Sequence, residues 1–95
     1  MDSSFSVGVA FVDWGSVVSV LGDLIGSQAA IVGRLRGWGV EIVSTQPITG
    51  YVVKPGLRVE VIRWSPGHWE GITPGGHVVD FASQWELLVW LEDLQ

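Results

Sequence analysis

The sequence contains no cysteine among its 95 residues. This absence excludes disulfides, zinc sites built on thiolates and catalysis by a thiol, and it leaves the redox compartment unconstrained. Charged residues are also scarce, at 16% of the chain, against about 25% in typical soluble domains. Residues 1–4 contain the acidic Asp2 and no basic residue, which argues against a secretory signal. We therefore expect a cytoplasmic protein.

Basic residues are few, with 5 Lys and Arg against 10 Asp and Glu and a net charge of −5. All five lie between Arg34 and Arg63, and the segments on either side carry only acidic charges. A net negative charge argues against binding to nucleic acid backbones. The acidic, basic, acidic order of the segments is compatible with a polar surface that complements itself.

No uninterrupted apolar run is long enough to predict a transmembrane helix. The longest apolar stretch, residues 14–36, follows Asp13 and contains Asp23, and charged groups inside a bilayer are costly. The chain is nevertheless 47% hydrophobic, which is too apolar for disorder. A single domain of this size cannot bury so much apolar surface. We therefore expect part of that surface to contact a partner, either a second copy or another protein.

The first half of the chain reads as strand, helix, strand. Residues 5–12 alternate between two faces, which is typical of a strand. Residues 14–36 carry apolar side chains at helical spacing and predict a long helix that breaks near Gly26, because an interior glycine weakens a helix. Residues 40–44 predict the next strand.

The second half contains turn signals at short intervals, which indicate an antiparallel meander. Its predicted strands span 48–53, 57–64, 68–73 and 77–81. In the second of these, Leu57, Val59 and Val61 alternate with Arg58 and Glu60, which predicts one core face and one polar face. A capping box of Ser83 and Glu86 then begins a helix that runs to about Leu94. We expect residues 1–95 to form one α+β domain: strand, long helix, a four- to five-stranded antiparallel meander and a short closing helix. The alternative is a small SH3-like β-barrel over residues 40–81 with added helices.

Tryptophan is abundant, with six residues in the chain. Two of them, Trp64 and Trp69, flank a Ser-Pro-Gly-His turn that predicts a β-hairpin. If the turn closes between Ser65 and His68, Trp64 faces Trp69 across the strands. Tryptophan is enriched at binding hot spots. In the same register Arg63 faces Glu70 on the neighbouring strand. The sequence therefore predicts a binding surface that includes the hairpin and the C-terminal helix. Its candidate residues are Arg63, Trp64, His68, Trp69, Glu70 and Trp90.

Histidines and carboxylates occur together near this hairpin. His68 and Glu70 share one face of a strand, His77 begins the next strand within reach of that face, and Asp80 lies on the face opposite to His77. Imidazole and carboxylate are ligands for transition metals. The spacing matches no tight metal motif, however, and both histidines flank turns. The sequence therefore assigns them to the surface and predicts no metal ligand, no catalytic residue and no cofactor.

The segment Val9-Ala10-Phe11-Val12-Asp13 places an aspartate directly after an apolar strand. This arrangement resembles the beginning of metal-dependent nucleases of the PIN and NYN families. The resemblance implies that Asp13 helps to hold Mg²⁺, with Asp80 as the second carboxylate that such chemistry needs. The simpler interpretation is that Asp13 caps the following helix.

No motif identifies an enzyme, so we expect a small non-enzymatic module that binds protein or assembles with itself. Two alternatives remain open. One is a metal-dependent hydrolase built on Asp13 and Asp80. The other is a domain that stacks a sugar or nucleotide on Trp64 and Trp69.

Overall fold

The computed structural model of the protein describes the backbone of residues 14–94 and the side chains of residues 20–94. The predicted strand over residues 5–12 and the candidate ligand Asp13 lie outside the described residues. Within the described part, no helix is both long enough and apolar enough to cross a bilayer.

Three helices and five strands make up the described chain. In order they are α1 (Trp14–Ile25), α2 (Ser27–Leu35), β1 (Gly39–Thr45), β2 (Ile48–Lys54), β3 (Leu57–Ser65), β4 (His68–Ile72), β5 (Val78–Phe81) and α3 (Gln84–Asp93). The strands form one antiparallel sheet in the order β1-β2-β3-β4-β5. The α+β prediction is confirmed. The sheet is open, with β1 and β5 at its two edges, so the barrel alternative is wrong.

The break predicted near Gly26 separates α1 from α2. Gly26 has a φ of 99°, a conformation that residues with a side chain rarely adopt. A Cβ atom at this position would also lie 2.4 Å from Oε1 of Gln84. Both observations explain why glycine stands where the chain turns from α1 into α2.

One face of the sheet packs against the helices and forms the core. On β3 this face carries Val59 and Val61, both fully buried, while Arg58 and Glu60 point to the opposite face. This alternation confirms the two-residue period of the sequence. The helices contribute a matching set of buried side chains: Leu21, Leu24, Ile25, Ala29, Ala30, Leu87, Leu88 and Leu91.

Both ends of α3 are held by side chains. The predicted cap is confirmed, because Oγ of Ser83 accepts a hydrogen bond from the backbone N–H of Glu86 at 3.2 Å. At the other end Lys54 donates to the carbonyls of Leu91 and Leu94. A cation at the C-terminus of a helix opposes the helix dipole favourably. Burial lowers the pKa of the Lys54 amine, and the acidic side chains of α3 partly oppose that shift.

The hairpin between β3 and β4 differs from the predicted register. Ser65 pairs with His68 as expected, but a β-bulge follows, so Arg63 pairs with Trp69. A bulge inserts one extra residue into one strand and changes which side chains face each other. The extra residue is Trp64. The predicted pairs of Trp64 with Trp69 and of Arg63 with Glu70 are therefore wrong.

Candidate functional site

Trp69 belongs to the core. Its side chain is 3% exposed, and its indole N–H donates to the carbonyl of Leu24 at 3.1 Å. The guanidinium of Arg63 lies 5.5 Å from the centre of its ring and donates to the carbonyl of Asp23 at 3.0 Å. Arg63 and Trp69 therefore connect β3 and β4 to the end of α1.

Trp90 packs between α3 and the sheet. Its ring centre is 5.1 Å from that of Phe81, and a Cβ atom on Gly71 would lie 2.2 Å from the indole. The sheet therefore needs a glycine at position 71 to accept this ring. Trp90 is half-buried, and its main contacts are structural.

Trp64, His68 and Glu70 share the outer part of the hairpin. The bulge leaves Trp64 half exposed, and its ring centre lies 6.5 Å from that of His68. Glu70 pairs with Ile62 on β3 and with Asp80 on β5. Because side chains alternate along a strand, His68, Glu70 and Asp80 lie on the sheet face that points away from the helices. Of the six residues predicted for binding, only Trp64, His68 and Glu70 come together on an open surface.

His68, Glu70 and Asp80 form a cluster of one imidazole and two carboxylates on this face. The ligand atoms of His68, Glu70 and Asp80 all lie within 4.8 Å of one another, and Nε2 of His68 is 3.5 Å from Oδ1 of Asp80. His77 is not a member of this cluster. Its backbone N–H donates to Oγ1 of Thr73 in the loop before β5.

Helices α2 and α3 lie side by side and run in the same direction. Near their N-terminal ends, Oε1 of Gln84 accepts a hydrogen bond from the backbone N–H of Ala29 at 3.1 Å. Near their C-terminal ends, Arg36 forms an ion pair with Glu92 at 2.6 Å. These two contacts fix how far one helix is shifted along its axis relative to the other. Leu35 on α2 therefore lies at nearly the same position along the axis as Val89 and Trp90 on α3.

Large apolar side chains are exposed on both of these helices. Ile31 and Leu35 are 54% and 80% exposed, and Trp85 and Val89 are 47% and 64% exposed. Members of each pair are one helical turn apart, so each pair lies on one side of its helix. We call these four residues the α2–α3 face.

The sequence left two environments open for these residues. Helical spacing places Ile31 and Leu35 among the apolar positions of the long helix, and Trp85 and Val89 widen the apolar stripe of the C-terminal helix, which is then either buried on more than one side or docked on a partner. All four side chains are exposed in the single chain, so the core does not cover this part of either stripe. The available signal was the width of the apolar stripe on the C-terminal helix, because a helix that is apolar over most of its circumference needs more cover than one core face provides.

The charged residues on the two helices of the α2–α3 face have opposite signs. Arg34 and Arg36 lie at the end of α2, and Glu86, Glu92 and Asp93 lie on α3. Comparisons of the chain with known protein families, with curated protein sequences and with solved structures find no match.

Proposed function

We propose that the protein is a non-enzymatic module that assembles with a second copy of itself through the α2–α3 face. One observation carries this proposal: two adjacent helices each expose two large apolar side chains, Ile31 and Leu35 on α2 and Trp85 and Val89 on α3. Apolar groups gathered on the surface of a small protein usually mark an interaction site. Aromatic residues such as Trp85 supply much of the binding energy in such contacts.

The charges favour a second copy as the occupant. In a two-fold dimer each subunit presents the same surface to the other. If the axis runs parallel to the two helices, α2 of one copy lies over α3 of its partner. The basic end of α2 then lies over the acidic last turn of α3 in the other copy, in addition to the ion pair that Arg36 makes with Glu92 of its own chain, and Leu35 comes near the partner's Val89. An axis perpendicular to the helices would place α2 antiparallel over α2 and α3 antiparallel over α3, so it would not bring the basic end of α2 to the carboxylates of α3.

The experiment is sedimentation velocity on the full chain at micromolar concentrations, together with Leu35→Lys and Val89→Lys. We expect the unmodified protein to sediment as a dimer and both variants to sediment as monomers, because each places a charge inside the proposed contact. Both side chains are exposed in the single chain, so neither substitution removes a core contact.

Val43→Lys is the matched control, because Val43 is 64% exposed, as is Val89, but lies on the edge strand β1. We expect this variant to remain a dimer. If Val43→Lys dissociates the dimer while the two helix variants do not, the copies pair through β1 instead. An unmodified protein that remains monomeric at every accessible concentration would also overturn the proposal.

The two alternative functions have weaker support. The hydrolase needs Asp13, which lies outside the described residues. Stacking of a sugar or nucleotide between Trp64 and Trp69 needs both rings at one surface, and the ring of Trp69 is in the core. Trp64 alone offers an exposed aromatic face at the hairpin.

A further inference from the structure

We infer that His68, Glu70 and Asp80 form a binding site for a divalent transition-metal ion such as Zn²⁺. The site lies on the sheet face opposite to the helices, so it is independent of the proposed dimer contact. The three side chains come from two neighbouring strands, β4 and β5, whose pairing places Glu70 directly opposite Asp80.

The distance between His68 and Asp80 suits two ligands of one ion. Nε2 of His68 and Oδ1 of Asp80 are 3.5 Å apart, which is longer than the roughly 2.7–3.2 Å of ordinary hydrogen bonds. Two ligands held at about 2.1 Å from a tetrahedral zinc ion are about 3.4 Å from each other. A ligand atom of Glu70 lies within 4.8 Å of ligand atoms of His68 and Asp80, so its carboxylate is close enough to belong to the same site.

The charges of the cluster also favour a cation. Like charges directly opposite each other on paired strands are destabilising, and Glu70 faces Asp80 in this way. Several basic side chains have partners elsewhere: Arg36 with Glu92, Lys54 with the end of α3, Arg58 with Glu41 and Arg63 with the carbonyl of Asp23. Arg34 belongs to the helical layer on the other side of the sheet. A bound divalent ion would neutralise the two carboxylates.

The donor set selects the class of metal. Mg²⁺ and Ca²⁺ prefer oxygen ligands throughout, whereas an imidazole nitrogen suits zinc, nickel, copper and cobalt. One nitrogen and two oxygens from the protein leave at least one coordination position for water or for a group from another molecule. All three side chains reach solvent, so the ion has an open path into the site.

The test is isothermal titration of the untagged full chain with ZnCl₂, for the unmodified protein and for His68→Gln and Asp80→Asn. We expect one zinc ion per chain and at least about tenfold weaker binding in each variant, because losses of this size follow even from changes to outer-shell groups. His77→Gln is the matched control, since it removes the other histidine and leaves the cluster intact. We expect it to bind zinc as the unmodified protein does.

Glu70→Gln adds a readout that does not depend on affinity alone. Without metal this variant should melt at a temperature equal to or above that of the unmodified protein, because it removes one of two facing carboxylates. With excess ZnCl₂ only the unmodified protein should gain stability, since only it binds the ion tightly. This reversal of order distinguishes a metal site from a simple ion pair.

Three results would overturn the inference. They are zinc binding that His68→Gln and Asp80→Asn leave unchanged, zinc binding that His77→Gln abolishes, and no zinc binding by the unmodified chain. Quenching of fluorescence by Co²⁺ supplies a check of position, because the ring of Trp64 lies beside His68. The quenching should be largely lost in Trp64→Phe, and quenching that this variant keeps in full would place the ion elsewhere.

Discussion

Trp64 and Trp69 occupy different environments although both flank the same turn. Trp69 is buried and donates a hydrogen bond to Leu24, whereas Trp64 is half exposed on the bulge. We expect Trp69→Ala to lower the free energy of unfolding by about 3–5 kcal/mol, as large-to-small changes in a core do. Trp64→Ala should cost less than about 1 kcal/mol, in the range of surface substitutions.

Urea denaturation followed by circular dichroism measures both values. Trp69→Phe serves as the intermediate variant, because it keeps an aromatic ring and removes the indole N–H. It leaves the carbonyl of Leu24 without this donor, and we expect a loss of about 1–3 kcal/mol. Equal costs for Trp64→Ala and Trp69→Ala would contradict the assignment of Trp69 to the core.

The sequence predicted which β3 side chains face the core but not how β3 pairs with β4 at the hairpin. The period of two correctly placed Val59 and Val61 inside and Arg58 outside. The predicted pairing failed at the hairpin, because the bulge between Arg63 and Ser65 shifts by one position the partner of each β3 residue that precedes it. Serine and tryptophan at this position carry no signal that distinguishes a bulged strand from a regular one.

The start of α2 is held by a side chain from a distant element. Gly26 caps this helix without a side chain of its own, and Oε1 of Gln84 accepts from the backbone N–H of Ala29. The first N–H groups of a helix have no partner within it. Gln84 therefore takes the part that a local Ser, Thr, Asp or Asn usually plays.

We expect Gln84→Ala to lower the free energy of unfolding by about 1 kcal/mol, the usual cost of losing a cap. Gln28→Ala is the matched control, because Gln28 lies exposed in the first turn of α2 and should change stability by less than about 0.5 kcal/mol. Chemical denaturation compares the two variants directly. A Gln84→Ala variant as stable as Gln28→Ala would show that the contact contributes nothing.

At the scale of elements the sequence was informative. It predicted the meander, the break near Gly26 and the cap at Ser83, because glycine, proline and capping residues act locally. It did not predict which helical side chains remain exposed. Helical spacing identifies an apolar stripe but not what covers it, and Leu35 and Val89 lie on stripes wider than the core covers.

The whole molecule has two faces of different character. The helical layer presents Leu35 and its neighbours, and the outer sheet face presents His68 with Glu70 and Asp80. Each surface joins segments that are separate in the sequence. Ala29 meets Gln84 across the helices, and Glu70 meets Asp80 across two strands. Only the pairing of elements shows which of these residues are neighbours. The sequence named His68, Glu70 and Asp80 but assigned them to the surface, and it named the C-terminal helix as part of a binding surface but did not place α2 beside it.

The proposed dimer makes a specific demand on how two copies meet. If α2 of one copy lies over α3 of the other, Leu35→Glu and Val89→Lys each weaken the contact in separate samples. Mixed together, they should form a dimer with one chain of each kind. In that dimer one contact joins the two introduced opposite charges, and the other contact is unmodified.

Native mass spectrometry of the mixture is the most direct test, because the two variants differ in mass and the mixed dimer is resolved from either pure one. We expect each variant alone to be monomeric and the mixture to contain the mixed dimer. A mixture that remains monomeric, under conditions in which the unmodified protein is dimeric, would contradict the assignment of α2 and α3 as partners.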